Sequence, residues 1–345
     1  MFTIAIIGAG QIAVSSAKAI RDSKLCSIGA VVDVDLHAAK NLAATFDVPV
    51  VDDYYQLLGR DDIDAVYLSL PHCFHAPYAI EAARSGKHVI VEKPMATDLR
   101  DAEVMIEAAR QNQVKLSVAL PMRCSAQVRK ARELLHGGMI GRIISTRVHV
   151  MGFKADEYWT HGVGGKAKRS SWRGWYATAG GGILIMNAVH FLDAMLHATQ
   201  LTVQSVYAVG GTYASPASVE DSIAVSMSYM ESGAYGILEA SSHAVGSRGD
   251  NCIWIFGTEG QIRITDRLEA YTSLSSADIP PGVWHEIDAD DHADPSGPRS
   301  FLMDDLAHAV EDDRDPAISG EDGLEVTRIM LEAYRSMRER TPIIL

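Results

Sequence analysis

The chain has 345 residues, 47% of them hydrophobic, and sets 44 acidic side chains against 31 Lys and Arg, for a formal net charge of −13. That length suits about two domains, each able to bury its own core. The acidic field argues against nucleic acid and anionic membrane surfaces as partners and suits a soluble enzyme with a small-molecule substrate.

From the N-terminus, apolar runs alternate with helical patterns. FTIAIIG precedes a predicted helix over Gln11–Asp22, SIGAVVD one over Leu36–Phe46, and DAVYLSL one over Ala76–Ser85; KHVIVEK, a helix near Leu99–Asn112, and VKLSVAL complete the series. Strands that are apolar throughout and separated by helices predict a parallel sheet covered on both faces, with right-handed crossovers. MFTIAIIGAG has no basic start and meets glycine too soon for a signal segment or a membrane span, so it reads as a buried first strand.

Near Pro121 the pattern changes. After a helix over about Ser125–Leu135 come RIISTRVHVM, VQSVYAVGGTY, DSIAVSMSYM, GAYGILEASSH, NCIWIF and QIRITD, in partial period-two alternation with turn signals ESG and GTEG. This predicts an antiparallel sheet with one buried face. Two helices, roughly Arg299–Glu311 and Gly323–Arg338, close the series, and there is no tandem repeat or low-complexity linker. The expected division is residues 1–121 and 122–345. Cys26, Cys73, Cys124 and Cys252 lack a paired C-x-x-C spacing, so neither a zinc site nor a disulfide framework is indicated, and a reducing cytoplasm is the expected compartment.

GAGQIA, from Gly8 to Ala13, lies between the first strand and the first helix and fits G-x-G-x-x-A. Gly8 permits the tight turn and Gly10 lets the backbone approach a pyrophosphate, while the helix start offers N–H groups and a partial positive charge. Asp33 ends SIGAVVD about 20 residues beyond the glycines, where a carboxylate accepts from ribose hydroxyls and repels a 2′-phosphate. No Arg or Lys follows Asp33 before Lys40, so NAD is favoured over NADP. The plain alternative is a strand-helix turn with a capping aspartate.

In HVIVEKPMA, Lys93 follows a buried strand, at the sheet end where ligands of open α/β sheets lie, and Pro94 biases it toward an extended backbone. Its ammonium could hold a substrate oxygen, or simply pair with Glu92 at the surface. In GGGILIMNAVHFLD, Asn187, His190 and Asp193 fall at i, i+3 and i+6, a polar edge on an otherwise apolar helix.

GAGQIA, Asp33, the segment LPHCFHAPYAIEAARSGKHVIVEKPMA, GGGILIMNAVHFLD and the later GTEGQIRI together resemble the Gfo/Idh/MocA oxidoreductase family. The resemblance implies an N-terminal Rossmann domain with a doubly wound parallel sheet that binds NAD. It also implies a C-terminal α+β domain whose large, mostly antiparallel open sheet binds substrate and makes homodimers or homotetramers. Cofactor contacts would fall on Gly8, Gly10, Gln11, Ile12 and Asp33, and on Leu70, His72, His75, Glu92 and Lys93. Lys93 and His190 would be catalytic, His190 taking a hydroxyl proton and Lys93 steadying the alkoxide. The family pattern G-G-G-x-L-x-D-x-G-x-H-x-x-D is broken at Met186, which stands where an aspartate is usual and cannot accept a proton. Asn187 is next to it and suits a sugar contact.

His72 and His75 lack metal-ligand spacing and suit contact with nicotinamide or substrate rather than zinc. Arg123 matches a family arginine near the pocket, with an ion pair as the alternative. The loop Gly152–Thr178 carries Lys166, Lys168, Arg169 and Arg173 beside Trp172, Trp175 and Tyr176. These suit an anionic sugar, a subunit contact or a solvated face. The leading reading is an NAD-dependent dehydrogenase acting on a secondary hydroxyl of a sugar, sugar acid or cyclitol. A sugar lyase or glycosidase that uses NAD transiently is second, and a non-catalytic NAD-sensing regulator third; Lys93, His190 and the lack of a DNA-binding module argue against the regulator.

Overall fold

A computed structural model of the chain describes residues 1–160, 172–230, 233–247, 251–275, 279–289 and 297–345; Lys166, Lys168 and Arg169 lie outside them. Its first elements are β1 (Phe2–Ile7), α1 (Gln11–Asp22), β2 (Cys26–Val32), α2 (Leu36–Phe46), the short α3 (Tyr54–Leu58) and β3 (Ala65–Leu68). They continue with α4 (His75–Arg84), β4 (His88–Glu92), α5 (Leu99–Gln111) and β5 (Leu116–Ala119). The strands form a five-stranded parallel sheet in the order β2-β1-β3-β4-β5, so the order reverses at β1, where the glycine turn leaves the sheet. Ile4, Ala5 and Ile6, then Val89, Ile90 and Val91, are removed from water on both alternating faces, which is why these strands are apolar without a break. Asp35 and Asp98 cap α2 and α5 through their carboxylates, whereas α1 starts at Gly10 with no side-chain cap.

From Met122 the second unit runs through α6 (Ala126–His136), β6 (Ile143–Met151), α7 (Asp156–Thr160), α8 (Tyr176–Ala179), a π-helical segment Leu184–Ala188 and α9 (Val189–Thr199). Strands β7 (Val203–Gly211), β8 (Ser222–Tyr229), β9 (Tyr235–Ser241), β10 (Cys252–Gly257), β11 (Gly260–Ile264), β12 (Leu268–Thr272) and β13 (Trp284–Ile287) come next. Helices α10 (Pro298–Glu311) and α11 (Gly320–Glu339) precede the two-residue β14 (Ile343–Ile344). Among the described residues these strands make one nine-stranded sheet in the order β13-β12-β11-β10-β6-β9-β8-β7-β14, antiparallel except for the pair β6·β9. Strands β12 to β14 and the short helices α3, α7 and α8 carry patterns too brief to be read from the sequence.

One face of this sheet is buried. Val225, Met227 and Leu238 pack against Leu184 and Leu192 and against Ile329, Met330 and Ala333 of α11. The stretch Tyr176–Thr199 is long and apolar enough to cross a membrane by length and composition, but it is mostly buried here, so its apolar side chains serve this core. The other face is open: Tyr207, Val209, Tyr235 and Ile237 are exposed, Trp254 stacks on Phe256 with centroids 5.6 Å apart, and Arg147 and Arg263 lie over those rings.

The division into units differs from the expected one after residue 293. Unit 1 comprises Met1–Pro121 and Asp294–Thr327; unit 2 comprises Met122–Ala293 and Arg328–Leu345. Periodicity announces a helix at α10 but not which core receives its apolar side. That core is the first: Ser300 Oγ donates to the Ala19 carbonyl at 3.3 Å, Cys26 Sγ to the Met303 carbonyl at 3.4 Å, and Ser117 Oγ to the Ile318 carbonyl at 2.9 Å. Arg299 enters the same unit and donates to Glu92 Oε1 at 2.7 Å, Tyr67 Oη at 2.6 Å and Ser16 Oγ at 3.1 Å, while the Tyr67 hydroxyl donates to Glu92. Removing one partner of a buried ion pair costs about 3–5 kcal/mol. Arg299→Met is therefore expected to lower the urea midpoint by a loss of that size, and an unchanged midpoint would mean that Glu92 finds another counter-charge.

Candidate active site

At the start of the first unit, Gly8 sits at φ +96°, and a Cβ there would lie 2.3 Å from the Ser69 carbonyl oxygen, so only glycine fits. A Cβ on Gly10 would meet nothing within 4 Å: there is open space over the turn, as a pyrophosphate requires. Gln11 and Ile12 are exposed at the uncapped start of α1, and the Leu70 side chain lies against Gly8. Asp33 accepts from the Ala9 N–H at 2.6 Å and the Asp35 N–H at 2.7 Å. Each oxygen keeps a lone pair for a hydroxyl, and the carboxylate is fixed beside the turn. These residues fit the diphosphate and ribose of a dinucleotide.

At the other functional turn of this unit, β4 delivers Glu92, Lys93 and Pro94, with the Lys93–Pro94 peptide cis. Two expected contacts are corrected here. The Glu92 carboxylate is buried with Tyr67 and Arg299 and does not face a ligand. Burial alone would raise its pKa, but Arg299 and Lys93, with hydrogen bonds from Tyr67 and Arg299, hold it below the usual carboxylate range. His75 is fully buried, its ring nitrogens 2.7 Å from the Pro94 carbonyl oxygen and 2.9 Å from that of Leu70. Burial pushes its pKa down, and it ties the loop after β3 to the lysine turn instead of touching nicotinamide. His72 is also buried, its ring 5.5 Å from that of His75. Among the described residues no three His, Cys, Asp or Glu side chains gather as a metal site.

In the second unit the glycine triplet is explained by what lies above it. A Cβ on Gly181 would fall 2.2 Å from Tyr334 Oη, and one on Gly182 would fall 1.8 Å from the Glu220 carbonyl oxygen. Glu220, absent from the sequence reading, is the organising group. Its carboxylate accepts from Gly182 N–H at 2.6 Å, Leu184 N–H at 3.0 Å and the Tyr334 hydroxyl at 2.8 Å. The signal available was a Glu-Asp pair heading an apolar strand.

The helix that starts on this cap runs as a π-segment before α9, so the simple i, i+3, i+6 line is re-spaced. Asp193 leaves the polar edge altogether. It is wholly buried in an ion pair with Arg123, Nε to the two carboxylate oxygens at 3.2 and 3.1 Å. Arg123 thus takes the ion-pair alternative over the pocket one. Asn187 and His190 remain partly exposed, and Asn187 Oδ1 is a buried acceptor without a hydrogen-bond partner among the described residues. Met186 is buried, and its sulfur accepts from the Tyr158 hydroxyl at 3.4 Å. Arg173 stacks over Trp172 at 4.6 Å and over Tyr158 at 5.2 Å.

Sequence comparison agrees with this division of labour. Residues 2–120 match the oxidoreductase family with an NAD-binding Rossmann fold, and residues 128–263 match the GFO/IDH/MocA C-terminal domain. The chain belongs to the Gfo/Idh/MocA oxidoreductase family. It is 25% identical to the uncharacterized oxidoreductase YrbE of Bacillus subtilis over 98% of this chain and 95% of that one. With 1,5-anhydro-D-fructose reductase of Ensifer adhaerens it shares 36% identity, over 41% of this chain and 39% of the relative, well under two thirds of that protein. Among solved structures, the WlbA dehydrogenase of Bordetella pertussis in complex with NADH and UDP-GlcNAcA is 25% identical, with TM-score 0.84 over 100% of this chain and 98% of that one. Levoglucosan dehydrogenase in complex with NADH and levoglucosan, at 23% identity, shares the fold with TM-score 0.88 over 99% of each chain. Membership makes this chain an NAD-binding oxidoreductase with a parallel Rossmann sheet and a mixed, mostly antiparallel second sheet.

Burial pushes the Glu220 carboxyl up to about 7, against the opposing pull of its three donors. A carboxyl whose folded pKa is raised binds a proton that the unfolded chain has already lost, so its contribution is whole below about 4.5 and is lost as pH rises through about 7. Chemical-denaturation stability is expected to fall between pH 5 and 7.5 by a slope of up to about one proton, and the slope should vanish in Glu220→Gln. A slope that survives in the variant would assign it to another group.

Proposed function

We propose that this chain is an NAD-dependent dehydrogenase that oxidises a secondary hydroxyl of a sugar, sugar acid or cyclitol. The observation that carries this reading is the joint retention of Lys93 at the end of β4 and His190 on the glycine-capped helix, in a chain that also keeps the open turn at Gly10 and the fixed carboxylate of Asp33. The carbohydrate names of the relatives, 1,5-anhydro-D-fructose reductase and levoglucosan dehydrogenase, support the substrate class.

The imidazole of His190 takes the hydroxyl proton, and the Lys93 ammonium stabilises the alkoxide that forms as the proton leaves. Asn187 Oδ1, buried and lacking a partner among the described residues, accepts from a second hydroxyl of the ring and fixes its orientation. Gly8, Gly10 and the start of α1 hold the diphosphate and Asp33 the adenosine ribose, which favours NAD over NADP. When bound, NAD supplies the hydride acceptor at C4 of its nicotinamide.

Met186 in place of a carboxylate keeps a second reading in play, in which the hydride is returned after elimination from the oxidised sugar. Absorbance of NADH with polyols, aldoses and uronates separates the two: stoichiometric NADH supports the dehydrogenase, and product without net NADH supports the transient-redox route. In the same assay Lys93→Ala is expected to lower kcat by at least ~10²-fold with little change in NAD affinity, the scale of a positioned proton-transfer group; an unaltered rate removes Lys93 from the chemistry. Asp33→Ser is expected to shift the kcat/KM ratio toward NADP, and a wild type that already prefers NADP would overturn the role given to Asp33.

A further inference from the structure

Beside the helix that bears Asn187 and His190, two cations share one aromatic ring. Lys154 Nζ lies 5.1 Å and the Arg173 guanidinium 5.2 Å from the centroid of Tyr158, and Arg173 also lies 4.6 Å over Trp172. All of these side chains are partly buried, and among the described residues neither cation has a carboxylate within 4 Å. The nearest acids in sequence, Asp156 and Glu157, are exposed on α7. In a chain of net charge −13, two cations over one ring with no counter-ion among the described residues are out of keeping with their surroundings.

The reason they lack one is visible in the same cluster. The Tyr158 hydroxyl donates to the sulfur of Met186. A carboxylate at 186 would sit one hydrogen bond from that phenol and would supply the negative charge that Lys154 and Arg173 now lack. A thioether is neutral, and leaves the cations to a charge brought from outside. Arg173 is suited to receive it, because stacking on Trp172 holds its planar fork before any ligand arrives, and the fork matches a carboxylate or phosphate with two parallel hydrogen bonds. Burial keeps the Tyr158 phenol protonated above its ordinary range in spite of Arg173, so it brings no negative charge of its own to compete with a ligand for the two cations.

We propose that Lys154 and Arg173 select a carbohydrate that carries an oxyanion, a carboxylate or a phosphate, and that Met186 leaves both cations available to it. This deepens the dehydrogenase reading and rests on the same site. The cations bind the charged substituent, away from the hydroxyl that reacts, so they act on affinity in the ground and transition states alike.

The test compares matched ligands: glucose, glucuronate and glucose 6-phosphate, then galactose, galacturonate and galactose 6-phosphate. Initial rates with NAD and calorimetric binding to the protein with NAD present are both measured. The anionic member of each series is expected to exceed the neutral one at least ~10-fold in kcat/KM and in affinity. Whether uronates or phosphates lead identifies the oxyanion. Arg173→Met and Met186→Asp should each erase most of the preference, chiefly through KM, and Arg173→Lys should restore part of it. The preference should also shrink as salt rises. Neutral sugars that bind as well as their anionic partners, or a preference that survives both variants, would overturn the proposal. If no ligand yields NADH, the dehydrogenase reading fails, while the calorimetric arm still decides for or against the oxyanion.

Discussion

The carboxylate of Glu220, taken out of water and given three donors, sets where the functional helix of the second unit begins. Two of those donors are the backbone N–H groups of Gly182 and Leu184, and the third is Tyr334 from a helix near the other end of the sequence. Tyr334 in turn accepts from the Ile185 N–H at 3.2 Å. The first turn is thus satisfied by the side chains of Glu220 and Tyr334, and the glycines are needed because Tyr334 Oη and the Glu220 backbone carbonyl leave no room for a Cβ. From that anchor the π-segment and α9 place Asn187 and His190, while the buried Arg123–Asp193 pair ties α9 to the turn before α6.

The first unit solves a similar problem in a similar way. Its lysine turn is bounded by a buried carboxylate, Glu92, whose charge is offset by Arg299 and by the Tyr67 hydroxyl, and by His75, which spans two carbonyls of the neighbouring loops. Both groups are buried. Both hold the backbone of the turn that presents Lys93, and positions of this kind draw a precise arrangement from a low-dielectric interior in which an unsatisfied polar group is costly.

Local signals made most of the frame legible. The helices over Gln11–Asp22 and Leu36–Phe46 begin and end where their apolar periodicity and flanking residues say they should, and GAGQIA with Asp33 forms the turn that its spacing implies. What could not be read are partnerships made across long stretches of chain. Nothing near Glu92 announces Arg299, nothing near the glycine triplet announces Glu220 or Tyr334, and nothing near Met186 announces Tyr158. The histidine at 75 misled for the same reason: a polar residue in a loop at the cofactor edge reads as a contact until its burial and its two carbonyl neighbours are known. The π-segment defeated a period of 3.6 because one wider turn changes which side chains share an edge.

Arg299 follows Glu92 by 207 positions, and the segment to which it belongs supplies a whole flank of the Rossmann unit. During synthesis the parallel sheet emerges long before that flank exists, so the nascent domain must wait with Glu92 lacking its arginine partner and with the α10-facing surface of α1 still wet. Its closure waits until translation has passed the segment that carries Arg299, which makes the nucleotide-binding half a poor module to excise or transplant by cutting after residue 121.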